Sequence, residues 1–271
     1  MKSIDFQQNL IQKYLSSAEN SLSQKPEGLL TICHSRGREQ YYFRESLGIK
    51  KGVYISKKEQ ELIRALAQKD YDAKFIHSAK RIASKLDRLA RAHGLMDIHF
   101  LYQELGQVYQ KLSVPRQKLV VPYVLPDNLY ASKWQSVPYQ GKTFSAEDPW
   151  FLTAKKERVR SKSEVIIANI LNEHGIPYRY EYPIFTKSLG TVYPDFYVLD
   201  LWNRDNVIFE HLGLLHLESY RTLTMNKIKA YQEEGYSLGD GFIFTFEDTD
   251  TPLDMRYLTN LLASRFPHVT F

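Results

Sequence analysis

Cysteine is nearly absent: Cys33 is the only thiol in 271 residues. That excludes an intramolecular disulfide and a zinc site built from thiolates, and it fits a reducing, cytoplasmic setting. Long apolar runs are also missing. None approaches the roughly 18 residues that a transmembrane helix needs. The opening MKSIDFQQNL lacks the apolar core of a secretory leader. The expectation is a protein with no membrane association. Three chemical signatures are absent too. There is no G-x-x-x-x-G-K-[ST] loop, which argues against a nucleotide-hydrolysing motor. There is no G-x-S-x-G elbow for a serine nucleophile. His174, His211 and His216 do not have zinc-ligand spacing.

What the chain does have is charge, unevenly spread around a net +5. Residues 1–112 hold 19 Lys+Arg against 12 Asp+Glu, a balance of +7; residues 113–271 hold 17 against 19, a balance of −2. A basic half beside a mildly acidic one is what a nucleic-acid-binding region joined to a cation-binding region shows. A solvated, Lys-rich helical surface gives the same numbers.

The pattern predicts a helix over 3–23, with Phe6, Leu10, Ile11, Tyr14 and Leu15 at helical spacing. Short strands follow at 29–33, 40–44 and 53–55, the first two joined by Ser35-Arg36-Gly37-Arg38. A long basic helix is expected from Ser56 to His93, with Ser56 and Glu59 as a capping box, and another over 97–112. Pro115, Pro122, Pro126, Pro138 and Pro149 mark 113–150 as a connector with at most one helix, near 127–135. Three regions result: 1–112, basic and mainly helical with a small β-sheet; 113–150, the connector; 151–271, the second domain. There the order reads helix 161–174, strands 177–185, 191–199 and 207–213, helix 217–234, strand 241–246, helix 252–264. This αβββαβ order, with one more helix, predicts an α/β fold of the α+β kind: a mixed sheet with helices packed on it.

An acid sits in each of two apolar runs of this domain, Tyr193-Pro194-Asp195-Phe196 and Val207-Ile208-Phe209-Glu210-His211. If the polar turn between them is centred between Trp202 and Asn203, Asp195 and Glu210 lie opposite one another on one face, with Cβ atoms about 4.5–5.5 Å apart. Like charges so placed destabilise a hairpin unless a cation lies between them. Mg²⁺ suits such a pair, since it takes few carboxylates and keeps several waters. The bland alternative is two acids at a solvated strand edge. Strand alternation turns His211 to the other face, as a hydrogen-bonded core residue. Glu164 shares a helix face with Ile167, Ala168 and Leu171. It is either a third acid or the partner of Ser161 in a capping box. Lys227, at the edge of the stripe Leu217, Tyr220, Ile228 and Tyr231, either reaches over the sheet edge to a phosphate or covers apolar surface with its stem.

With acids at Glu164, Asp195 and Glu210 in this order of elements, residues 158–250 resemble the PD-(D/E)XK nuclease superfamily; Pro194-Asp195 is the "PD" and Glu210 the "(D/E)". Arg160–Glu164, Tyr193–Phe196 and Glu210–Gly213 are also similar to uncharacterised bacterial proteins of this type. The resemblance implies a restriction-endonuclease-like core that binds Mg²⁺ or Mn²⁺ through Asp195, Glu210 and Glu164 and hydrolyses DNA phosphodiesters. One departure stands out: the motif lysine is replaced by Leu212. Superfamily members with the lysine moved to the following helix make Lys227 its candidate substitute. The catalytic set implied is Glu164, Asp195, Glu210 and Lys227, with DNA held by the basic region; RNA is the other possible substrate. The alternatives are a catalytically inactive DNA-binding or assembly protein on a nuclease-like scaffold, and a protein-interaction module with a basic, solubilising surface.

Overall fold

In the computed structural model, which describes residues 2–49 and 51–271, backbone conformation already explains the first sheet. Arg36 and Gly37 both take positive φ, 50° and 71°. That is what a two-residue hairpin turn requires, and it pairs Ser35 with Arg38. Strands β1 (Leu29–Ser35), β2 (Arg38–Arg44) and β3 (Val53–Ile55) form an antiparallel sheet in that order. Helices α1 (Ile4–Ser23), α2 (Gln60–Arg91) and α3 (Ile98–Gln110) share one apolar core with this sheet.

Two sequence expectations change in this region. The long helix starts at Gln60, not Ser56. Glu59 does accept the Ser56 N–H (3.0 Å), but the Ser56 hydroxyl takes the Lys58 N–H (3.3 Å) instead of that of Glu59. The box closes a turn ahead of the helix rather than its first turn. The proline-rich stretch is also less of a linker than expected. A short helix, α4 (Val114–Gln117), begins with Pro115 in its first turn, where proline's missing N–H costs nothing. Val120 and Val124 are buried in the core of the first region. The chain divides into two units, 1–130 and 131–271, and the division falls inside α5 (Asp127–Gln135).

The second unit opens with a small hairpin, β4 (Phe151–Leu152) and β5 (Arg158–Val159), then α6 (Lys162–Glu173). Ser161 and Glu164 form a complete capping box at its start. Strands β6 (Tyr178–Tyr180), β7 (Ile184–Thr186), β8 (Gly190–Val192), β9 (Phe196–Asp200) and β10 (Asp205–Leu212) precede α7 (Glu218–Glu233), β11 (Phe242–Phe246) and α8 (Met255–Arg265). The main sheet runs β11-β10-β9-β6; β10 and β11 are parallel and the other neighbours antiparallel. The fold is mixed, of the α+β kind. Two expected long strands are each broken. Glu181 adopts φ 46° after β6, which separates β7, and Pro194 interrupts the run between β8 and β9. β7 and β8 therefore form their own hairpin.

Alternation along the strands decides the two faces. Phe196, Val198, Val207 and Phe209 pack with α6 and α8, while Tyr197 and Ile208 pack with Tyr231 and Ile228 of α7. Among the described residues, no helix is long and apolar enough to cross a membrane.

Candidate active site

Proline has no N–H to give a ladder, and β9 starts only beyond Pro194, at Phe196. Phe196 is opposite Phe209, and Asp200 opposite Asp205, so the turn is centred between Trp202 and Asn203. The next position sets Asp195 opposite Glu210. There a side chain takes over from the backbone: Asp195 Oδ2 accepts the His211 N–H at 2.7 Å. Both acids share the sheet face of Tyr197 and Ile208, the face covered by α7.

Helix α7 supplies Lys227 and, one turn later, Tyr231. Lys227 Nζ lies 2.6 Å from Glu210 Oε1 and donates to the Tyr193 carbonyl at 2.8 Å. The Tyr231 hydroxyl donates to the same Glu210 oxygen at 2.6 Å. Asp195 Oδ1 and Glu210 Oε2 have no protein partner among the described residues. Both acids line a cavity of about 320 Å³, together with Lys227, Tyr231, Leu212 and Tyr220.

The charges act on one another strongly here. Burial raises the Asp195 pKa well above the usual carboxylate value, the Glu210 charge raises it further, and Lys227 offsets only part of this. Burial works against the Lys227 ammonium, but Glu210 and Asp195 outweigh it and hold its pKa above the ordinary lysine value. Lys227 is therefore a fixed positive charge, not a proton acceptor. Burial, then the Glu210 charge, raises the Tyr231 pKa, so its hydroxyl stays a donor. Were both acids ionised, two carboxylates would face one ammonium, an excess of negative charge that either a proton on Asp195 or a bound cation offsets. Hard oxygen donors of this kind fit a Mg²⁺ or Mn²⁺ ion held by one or two carboxylates and waters. Among the described residues, no three His, Cys, Asp or Glu side chains converge to cage an ion.

Glu164 is close enough for its charge to act on Asp195, but it does not line the cavity. Helix α6 packs on the opposite face of the sheet. Its carboxylate accepts from the N–H groups of Arg160 (2.8 Å) and Ser161 (3.3 Å) and from the Tyr180 hydroxyl (2.7 Å). His211 points away from the pair: its Nδ1 meets the Thr245 hydroxyl at 2.9 Å, and its Nε2 lies 3.4 Å from Glu247. Leu212 does line the cavity, while Lys227 brings an ammonium to Glu210 from α7.

The sequence reading missed three members of the cavity wall. Glu181 lines it and is held by Arg160 at 2.6 Å, which also binds Asp148 at 2.7 Å. Its signal was available, since Tyr178-Arg179-Tyr180-Glu181-Tyr182 is another acid in an apolar run. Lys142 lines the mouth and carried no signal. Tyr231 was read as apolar stripe, yet its hydroxyl is what fixes Glu210.

In the first unit, the basic residues of α2 are solvent-facing, apart from the half-buried Lys69. Lys74, His77, Arg81 and Lys111 line a groove of about 420 Å³ between α2 and α3, where Arg81 pairs with Glu104.

No family model matches the chain, and no solved structure matches it. A stretch of 93 residues, 34% of the chain, is 36% identical to an uncharacterised protein of Methanocaldococcus jannaschii. The match covers 8% of that archaeal protein, so the chain corresponds to a small part of it.

Proposed function

We propose that residues 131–271 form a metal-dependent nuclease that hydrolyses DNA phosphodiester bonds, a PD-(D/E)XK variant with its lysine moved to α7. One observation carries this reading: Asp195 and Glu210 of one hairpin and Lys227 of α7 meet in one cavity, with an oxygen on each acid that has no partner among the described residues. Asp195 and Glu210 would hold Mg²⁺ or Mn²⁺. The ion, when bound, supplies Lewis acidity toward a phosphate oxygen and makes water easier to ionise. The chain's own residues do the rest. The His211 N–H and the Tyr231 hydroxyl fix the two acids. Lys227 presents a permanent charge to the phosphate, where negative charge grows during attack. Glu164 acts from behind, through its field on Asp195. The basic first unit contributes phosphate contacts, which give affinity but little sequence information.

The test is cleavage of supercoiled plasmid and of DNA and RNA oligonucleotides with Mg²⁺ or Mn²⁺, beside Asp195→Ala. The expected result is metal-dependent cleavage that the variant loses. Equal cleavage by both proteins would overturn the site. A second reading, an inactive DNA-binding or assembly protein on the same scaffold, is favoured by one observation. Lys227 already neutralises Glu210 directly, and among the described residues no third carboxylate converges with the pair to cage an ion. Salt-sensitive DNA binding with no cleavage of any substrate would establish that reading instead.

A further inference from the structure

Away from its acidic end, the cavity wall continues into a chain of stacked cations and rings. Arg160 lines the cavity and lays its guanidinium over the Phe144 ring, 4.3 Å from the centroid. Arg158 covers the same ring at 4.3 Å and the Trp150 ring at 4.3 Å. These three contacts place the Trp150 ring within about 13 Å of the Arg160 guanidinium.

Trp150, at the outer end, is 70% exposed. The other two tryptophans are stacked on protein rings, Trp134 on Tyr197 and Trp202 on His268. The support behind Trp150 is anchored, because Arg158 donates to the carbonyls of Asp148 (2.8 Å) and Pro149 (3.4 Å). An indole held by a fixed guanidinium and open to solvent costs apolar exposure with no gain in packing. The face it offers is the kind on which bases stack, irrespective of their identity. Charge favours the same ligand. Residues 142–160 hold five Lys+Arg against three Asp+Glu, whereas the rest of 131–271 holds ten against fifteen. The segment is locally basic in an otherwise acidic unit, and its Lys142 and Arg160 line the cavity, Arg160 paired there with Asp148 and Glu181. A base inside a duplex already has both faces covered, so only an unpaired base can use such a platform.

We propose that Trp150 is a stacking platform for a single-stranded stretch of nucleic acid, whose neighbouring phosphates run past Arg158 and Arg160 toward Asp195 and Glu210. The direction of the strand into the cavity rests on the nuclease reading; the binding itself does not.

The experiment separates the two. Anisotropy of a labelled dT oligonucleotide, and of the same strand in a dT·dA duplex, is measured in EDTA with wild-type protein, Trp150→Ala and Trp150→Phe. The expected result is tighter binding of the single strand with quenching of tryptophan fluorescence. Trp150→Ala is expected to lose about ten-fold in affinity, and Trp150→Phe, which keeps a ring, no more than about three-fold. Trp150→Ala binding the single strand like wild type, or losing duplex and single-strand affinity alike, overturns the platform. Cleavage is then assayed separately with Mg²⁺. Cleavage without any Trp150 effect on binding removes the platform and leaves the nuclease. A Trp150-dependent single-strand complex that is never cleaved does the reverse.

Discussion

Two buried acidic sites in this chain make opposite use of the same side chain. In the first unit, Asp72 is fully buried, and neutral donors take up both its oxygens. Ser21 donates to Oδ2 at 2.7 Å, and Gln68 and Tyr123 donate to Oδ1 at 2.7 and 3.0 Å. That network is closed and fixes how α1, α2 and the segment at Tyr123 pack. In the second unit, Asp195 and Glu210 line one cavity in the field of one ammonium, which pairs with Glu210, and each keep an oxygen without a partner among the described residues. Burial of an acid therefore says little about its role. What separates the two sites is whether the oxygens are spent.

The comparison can be broken in order of expected effect. Lys227→Met should lower the cleavage rate by about 10²–10³-fold, since it removes the cation that pairs with Glu210. The check is single-turnover cleavage at a temperature where circular dichroism shows the variant folded. A rate within about three-fold of wild type would leave Lys227 as mere neutralising structure. Asp72→Ala should act in the opposite way. It strands three half-buried donors and should destabilise the first unit by about 1–3 kcal/mol, with the rate per folded molecule unchanged. Denaturant melts beside the same cleavage assay test both halves. A stable Asp72→Ala protein with impaired cleavage would put Asp72 in the chemistry and end the contrast.

How much of this could be read beforehand depended on distance along the chain. The Asp195–Glu210 register was legible because a short polar turn and strict alternation fix it locally. The reach of Lys227 was half legible: helical spacing placed it at the edge of the buried stripe, but not at a particular oxygen. The side of Glu164 was not legible. Its stripe shows that it faces the sheet, and nothing in that stripe says which face of the sheet α6 takes. The breaks at Glu181 and Pro194 were missed for a different reason. Continuous apolar runs read as single strands, and a left-handed φ at a non-glycine residue leaves no mark in composition.

The smallest effect is the most direct test of the unspent acid, and its sign follows from linkage. In the metal-free protein the Asp195 pKa is raised, first by burial and then by Glu210. Between the ordinary carboxyl pKa of about 3.9 and that raised value, the folded state binds more protons than the unfolded state. The stabilisation is complete below the ordinary value and is lost as pH rises through the folded one. Asp195→Asn removes this loss and keeps an oxygen for the His211 N–H. The variant should melt higher than wild type at neutral pH in EDTA, by about 2–4 °C for each kcal/mol recovered, and should converge with it in acid. The measurement is calorimetry of the second unit's transition across the acid-to-neutral range. A variant less stable than wild type at neutral pH would mean that the Asp195 charge is already satisfied within the protein, as that of Asp72 is, and the two sites would no longer differ in kind.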